Sequence, residues 1–181
     1  MPTRREKVFL ILAVVMMLIL FISSAMTYQQ QTIVPELKHF DWPWWHRILD
    51  QMKFTYAGKT ISVAAQGYAG MTEFLLRKLA HFGSYFLLAG FGYLGLLSVI
   101  PVWGFRLPLT WLAATGYAAL DEFHQLLTSG RSPMIQDVML DSCGALAGLL
   151  LALLIAYLHQ RQQVKRFGAI SQFSMLRPIG R

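Results

Sequence analysis

The sequence predicts an all-α integral membrane protein with four transmembrane helices, and three observations carry that prediction. Of its 181 residues 55% are hydrophobic and only 14% charged, with a mean hydropathy of +0.45, too apolar for an ordinary soluble domain. Four runs, Val8 to Met26, Leu79 to Ile100, Leu107 to Leu127 and Met134 to Leu158, approach the roughly 20 apolar residues that cross a bilayer core. These runs are apolar nearly all round, whereas the helices of a soluble bundle need polar outer faces.

The first run follows Arg4, Arg5 and Lys7, and the fourth precedes Arg161, Lys165, Arg166, Arg177 and Arg181. Bases gather on the cytoplasmic side of a membrane, so both termini are expected there, and Arg106 in the short second connection agrees. The net charge of +7 is then mainly an orientation signal rather than a nucleic-acid footprint. Residues 1–158 form one membrane domain and 159–181 a basic cytoplasmic tail. A cleaved signal peptide is the competing reading of the N-terminus, but the run is long for one and a retained anchor is preferred. The single cysteine, Cys143, lies in the fourth run, cannot form an internal disulfide and is expected in a buried apolar position.

Alternation of the helices places Thr27 to Arg77 outside the cytoplasm. Within it, "DWPWWHRILDQMKF" repeats apolar residues at Trp44, Trp45, Ile48, Leu49 and Met52, the spacing of a helix. With Asp41 as N-cap, Pro43 in the first turn and tryptophans suited to the headgroup belt, an amphipathic helix on the outer leaflet is expected. "KFTYAGKTISV" then alternates about Ala-Gly-Lys as a small β-hairpin.

The second run starts with Arg77 and Lys78, which are placed to snorkel toward headgroups, and Lys78, His81 and Tyr85 share one helix face. On the third, Tyr117, Asp121, His124, Gln125 and Thr128 form a polar stripe, with Glu122 about a third of a circle away. On the fourth, Asp137, Asp141, Gly144 and Gly148 share a face, and the two glycines suit close helix packing within the monomer more than dimerisation. The topology gathers Lys78, His81, Asp121, Glu122, His124, Arg131 and Asp137 at one membrane depth as candidate catalytic residues facing the outer leaflet, with Asp141 one turn deeper. Charge inside a membrane is costly and is a functional hypothesis by default. Two bases, Lys78 and Arg131, face four carboxylates, so pairing alone does not balance the cluster.

The pattern of "MTEFLLRKLAHFGSYFLLAG" followed by "DEFHQLLTSGRSPMIQDVMLDSCGALAG", with "FISSAMTYQQQ" before it, resembles the VanZ family, membrane proteins named for a low-level teicoplanin-resistance factor. The likeness runs from Phe21 to Gly148 and departs at "SSAM", where similar members often have Ser-Ser-Gln, and at Asp141, where Asn is frequent. It implies a multi-pass protein of the cell membrane, linked in some members to glycopeptide susceptibility, and implies no agreed reaction.

The chemistry points to an enzyme acting on an anionic envelope lipid or lipid-linked cell-wall precursor. Asp121, Glu122, Asp137 and Asp141 are hard oxygen ligands for magnesium or calcium, Lys78 and Arg131 suit phosphate, and His81 or His124 suits proton transfer. No nucleophile elbow, His-Glu-x-x-His motif, Walker loop or haem-attachment motif occurs. The alternatives are a non-catalytic binder of the same lipid and a small proton-coupled transporter. Apolar cytoplasmic halves in all four helices argue against the transporter. Oligomeric state is not legible.

Overall fold

A capping box opens the first helix: Glu6 N–H donates to the Thr3 hydroxyl and the Glu6 carboxylate accepts from Thr3 N–H, satisfying two backbone donors that a helix start leaves open. The computed structural model describes residues 1–39, 42–129 and 134–175. Helix α1 spans Arg4–Ala25, followed by the short turns α2, Tyr28–Gln31, and α3, Val34–Leu37, then α4, Pro43–Asp50. A hairpin of β1, Phe54–Tyr56, and β2, Lys59–Ile61, leads to α5, Val63–Gly95, α6, Trp103–Ser129, and α7, Ile135–Met175. The expected helices and hairpin are thus present. Asp41, the expected cap of α4, lies outside the described residues, and Trp42 occupies the cap position with Pro43 first in the helix.

Helix α5 begins 16 residues earlier than expected, at Val63 rather than Leu79, and bends at Gly67, whose φ of +70° only glycine adopts without strain. At 1.5 Å per residue the part after the bend, Tyr68 to Gly95, extends about 42 Å, well beyond a 30 Å hydrocarbon core. The surplus carries a second small core. Leu49 of α4, Ile61 of β2 and Met71 of α5 are buried together, and Trp45 Nε1 donates to the Thr72 hydroxyl at 2.8 Å. The apolar residues of α4 therefore divide: Trp45 and Leu49 face protein, while Trp44, 62% exposed, and Ile48 face outward. The hairpin turns on Ala57 and Gly58, both at positive φ, and pairs Phe54 with Ile61 and Tyr56 with Lys59.

The four long helices run alternately. Glu6 near the start of α1 accepts from Ser98 after the end of α5, and Arg106 near the start of α6 reaches Tyr93 of α5, so α1 and α6 oppose α5. Helix α7 runs with α5: Asp137 meets Lys78, Gly144 meets Phe82 and Gly148 meets Phe86. A Cβ on Gly144 or Gly148 would run into the backbone carbonyl of Phe82 or Phe86, so these glycines pack helix on helix inside the monomer. The main core of Tyr85, Leu88, Ala89, Ala118, Ala145 and Leu149 lies along that seam.

Two expectations are corrected here. Cys143 is exposed, because the buried stripe of α7 passes through Asp141, Gly144, Ala145 and Gly148 and leaves Cys143 on the outer face. The expected cytoplasmic ends are not purely apolar: buried Glu6 accepts from the Ser98 N–H at 2.7 Å and the Ser98 hydroxyl at 2.5 Å. Buried Arg106 donates to the carbonyls of Leu97, at 3.0 Å, and Ile100, at 2.6 Å, capping the end of α5 and its turn. Arg106 therefore has a structural task besides marking orientation.

Helix α1 and the Ile135–Gln163 part of α7 are long and apolar enough to cross a membrane, with mean hydropathies of 2.9 and 2.2. Their outer faces expose Val8, Ile11, Leu18, Ile22, Leu150 and Leu154, an apolar surface that a water-facing protein seldom carries.

Candidate functional site

The described polar residues predicted to cluster lie at the end of the bundle opposite the start of α1, and they form three groups. In the first, Lys78 Nζ is 2.5 Å from Asp137 Oδ1, with side chains 15% and 9% exposed. The same carboxylate oxygen accepts from the hydroxyl of Tyr56, and the Lys78 ammonium lies 4.6 Å from the centre of the Tyr56 ring and 5.4 Å from that of Phe74. Tyr56 comes from the hairpin, so nothing in the helix periodicity pointed to it. Burial, with the Asp137 hydrogen bond, pushes its phenol well above the ordinary tyrosine range.

The second group is a cleft of about 70 Å³ between α1, α5 and α6, lined by Ser24, Gln31, His81, Ser84, Asp121 and Gln125 among others. Asp121 Oδ2 accepts from Gln125 Nε2 at 3.2 Å. Behind His81 stands Asp141, 0% exposed, with its Oδ2 3.5 Å from His81 Nδ1 and, among the described residues, no hydrogen-bond partner on either oxygen. Tyr85, predicted on the same α5 face, is fully buried with its hydroxyl also unpartnered. A buried carboxylate facing one ring nitrogen fixes a histidine's orientation and favours its protonated form.

The third group, at the edge of that cleft, is built on His124 of the predicted polar stripe of α6. His124 stacks on Phe21 at 4.4 Å with rings 10° apart, and its Nδ1 lies 2.6 Å from Ser24 Oγ. Glu122 is buried and turned to α7, where it accepts from the Met134 N–H at 3.0 Å. Arg131 lies outside the described residues. Among the described residues, no three of His, Cys, Asp and Glu converge closely enough to share a metal ion. The four predicted ligands Asp121, Glu122, Asp137 and Asp141 instead face Gln125, Met134, Lys78 and His81.

Arg77, assigned to snorkelling, is held by protein. Its Nη2 is 2.5 Å from Glu73, its Nη1 donates to Gln31 Oε1 at 2.9 Å, and it lies over the Tyr28 ring. The Thr32 hydroxyl donates to the other Glu73 oxygen at 2.7 Å. Burial works to raise the Glu73 carboxyl, but the Thr32 and Arg77 hydrogen bonds outweigh it and hold the group below its usual value. The i, i+4 spacing of Glu73 and Arg77 was the available signal for this pair.

A family model described as VanZ/LLP1 matches residues 9–156, which include most of α1, both strands, α5, α6 and every described residue of the three groups. The chain belongs to the VanZ/LLP1 family. It is thereby a VanZ-like envelope protein, and its apolar helices mark it as membrane-associated. No curated protein and no solved structure matches the chain. The VanZ-like pattern of Arg-Lys, Ala-His-Phe, Asp-Glu-x-x-Gln and Asp-x-x-x-Asp falls on residues that the fold brings to one end of the bundle, with Arg131 of its Gly-Arg step the exception outside the described residues.

Proposed function

We propose that this VanZ-like protein is a multi-pass protein of the cell membrane that acts on an anionic envelope lipid or lipid-linked cell-wall precursor at the outer leaflet. Both termini lie in the cytoplasm in this reading, because α1 starts at the end of the bundle toward which α7 runs and Arg4, Arg5 and Lys7 lie there. The cleft then faces outward. Helix α4 lies in the interface, with Trp44 and Ile48 in the headgroup region.

The observation that carries the reading is the cleft in which His81, backed by buried Asp141, meets Asp121 and Gln125 beside apolar helix faces. A histidine held this way is a proton donor and acceptor near neutral pH, and Asp121 can exchange a proton with bound substrate. Arg77 and Lys78 on the same side of the bundle provide the cationic contacts for a phosphate outside the acidic cleft. Altered surface precursors would give such a protein its influence on teicoplanin susceptibility.

Non-catalytic binding of the same lipid is the competing reading, favoured by the fact that Lys78 and Arg77 are already fixed in ion pairs, as in a rigid recognition surface. Proton-coupled transport is set aside because Leu88, Ala89, Ala114, Ala118 and Leu149 fill the core between the cleft and Arg106. The test is mass spectrometry of envelope lipids from cells with the protein, without it, and with His81→Gln. An enzyme gives one lipid class that accumulates both without the protein and with the variant. Equal lipid profiles in all three refute catalysis.

A further inference from the structure

Ser24 makes more contacts than a helix-end serine requires. Its hydroxyl donates to the Phe21 carbonyl at 3.0 Å, the local bond such a residue ordinarily makes. It also lies 2.6 Å from His124 Nδ1. Ser24 is 3% exposed, yet it lines the cleft, and the ring of His124 is held in plane by Phe21. A hydroxyl at a cleft wall, touching an oriented imidazole nitrogen, is the arrangement of an activated nucleophile.

We infer that Ser24 is a catalytic nucleophile, that His124 is its general base, and that the bond attacked is a carboxylic ester of an acylated lipid. The lipid assignment rests on the function proposed above. The choice of ester follows from charge. Phosphoryl transfer places charge on three oxygens and needs several cations around it. The described cleft offers Asp121 and, behind it, Asp141 against the single histidine His81, while Lys78 and Arg77 are turned to Asp137 and Glu73. An ester is neutral and develops one negative charge, which an O–H donor such as that of Ser84 in the cleft can meet.

In the acylation step the Ser24 Oγ–H turns from the Phe21 carbonyl to His124 Nδ1, which is the unprotonated nitrogen in the Nε2–H tautomer, and its proton passes there as Oγ bonds to the ester carbonyl carbon. The bond from that carbon to the alcohol oxygen breaks, and the leaving alkoxide takes the proton from His124. Water then attacks the acyl-serine, giving a proton to His124 that returns to Ser24 Oγ as the fatty acid leaves. The balance is ester plus water to acid plus alcohol, with no redox partner.

The test uses the full-length protein in detergent micelles, exposed to a fluorophosphonate and mapped by peptide mass spectrometry. Ser24 should carry the phosphonate adduct, and Ser24→Ala should carry none there while melting as a folded protein. His124→Gln should slow labelling about 100-fold or more, the usual contribution of a general base. Absence of an adduct on Ser24, or labelling of His124→Gln at the unmodified rate, overturns the inference. Acyl release from a short-chain fluorogenic ester gives a second readout, and its survival in Ser24→Ala also overturns it. If cellular lipids change with the protein but Ser24 never labels, the lipid function stands and the nucleophile falls. If Ser24 labels but no lipid class changes, the assignment to a lipid ester falls instead.

Discussion

Removing the charge of Asp137 should destabilise the protein through Lys78, and the size of the effect follows from their surroundings. The two groups are 2.5 Å apart, with side chains 15% and 9% exposed, and Tyr56 and Phe74 cover the ammonium. Breaking such a pair from one side leaves an uncompensated buried charge at a cost of about 3–5 kcal/mol. Asp137→Asn and Lys78→Met should therefore each lower stability by about that amount. Tyr56→Phe removes one hydrogen bond to a charged acceptor and should cost about 1.5–3 kcal/mol. The double variant Lys78→Met with Asp137→Asn should recover much of the loss, with a coupling of about 2–3 kcal/mol, because no orphaned charge remains. The assay is reversible unfolding in mixed micelles, followed by tryptophan fluorescence across the double-mutant cycle. Additivity within about 0.5 kcal/mol would refute the pairing. A cycle of Lys78 with Asp121 is the control and should be additive, because the structure pairs Lys78 with Asp137.

Three further outcomes follow from the same geometry. With Cys143 replaced by Ala, a cysteine at Thr55 should react with an impermeant thiol reagent from outside intact cells, while one at Gln162 should react only after permeabilisation; the reverse pattern refutes the orientation. Gly148→Leu should force α5 and α7 apart at the Phe86 carbonyl and cost at least about 1–3 kcal/mol, measurable as a lowered melting temperature. Because the Glu73 carboxyl is held low in the fold, its stabilisation is complete above the unfolded glutamate value near 4.5 and is lost as pH falls through the lower folded value. Stability measured from pH 6 down to 3 should thus fall less steeply in Glu73→Gln, and identical slopes would refute the Thr32, Glu73 and Arg77 cluster as an acid-sensitive link.

The sequence by itself determined the helical runs, the hairpin and which residues share a helix face. Those properties depend on periodicity, capping and turn chemistry within a few residues of chain. It therefore placed Lys78 with His81 and Tyr85, and Asp137 with Asp141, Gly144 and Gly148, on the faces the structure buries. What it could not determine was the partner across each face. Only tertiary packing joins Asp137 to Tyr56, 81 residues away, or Ser24 to His124, 100 residues away. The same limit explains Cys143 and Arg77: an apolar helix shows no polar side to mark its outward face, and a base near a helix end looks alike whether it reaches lipid or Glu73. Glu6 and Arg106 sit among helix-terminal charges that composition reads as orientation signals, and only the close approach of α1, α5 and α6 shows that each caps the turn between two helices. The division of the polar cluster into three groups is likewise tertiary, because rotation and depth of four separate helices decide which side chains meet.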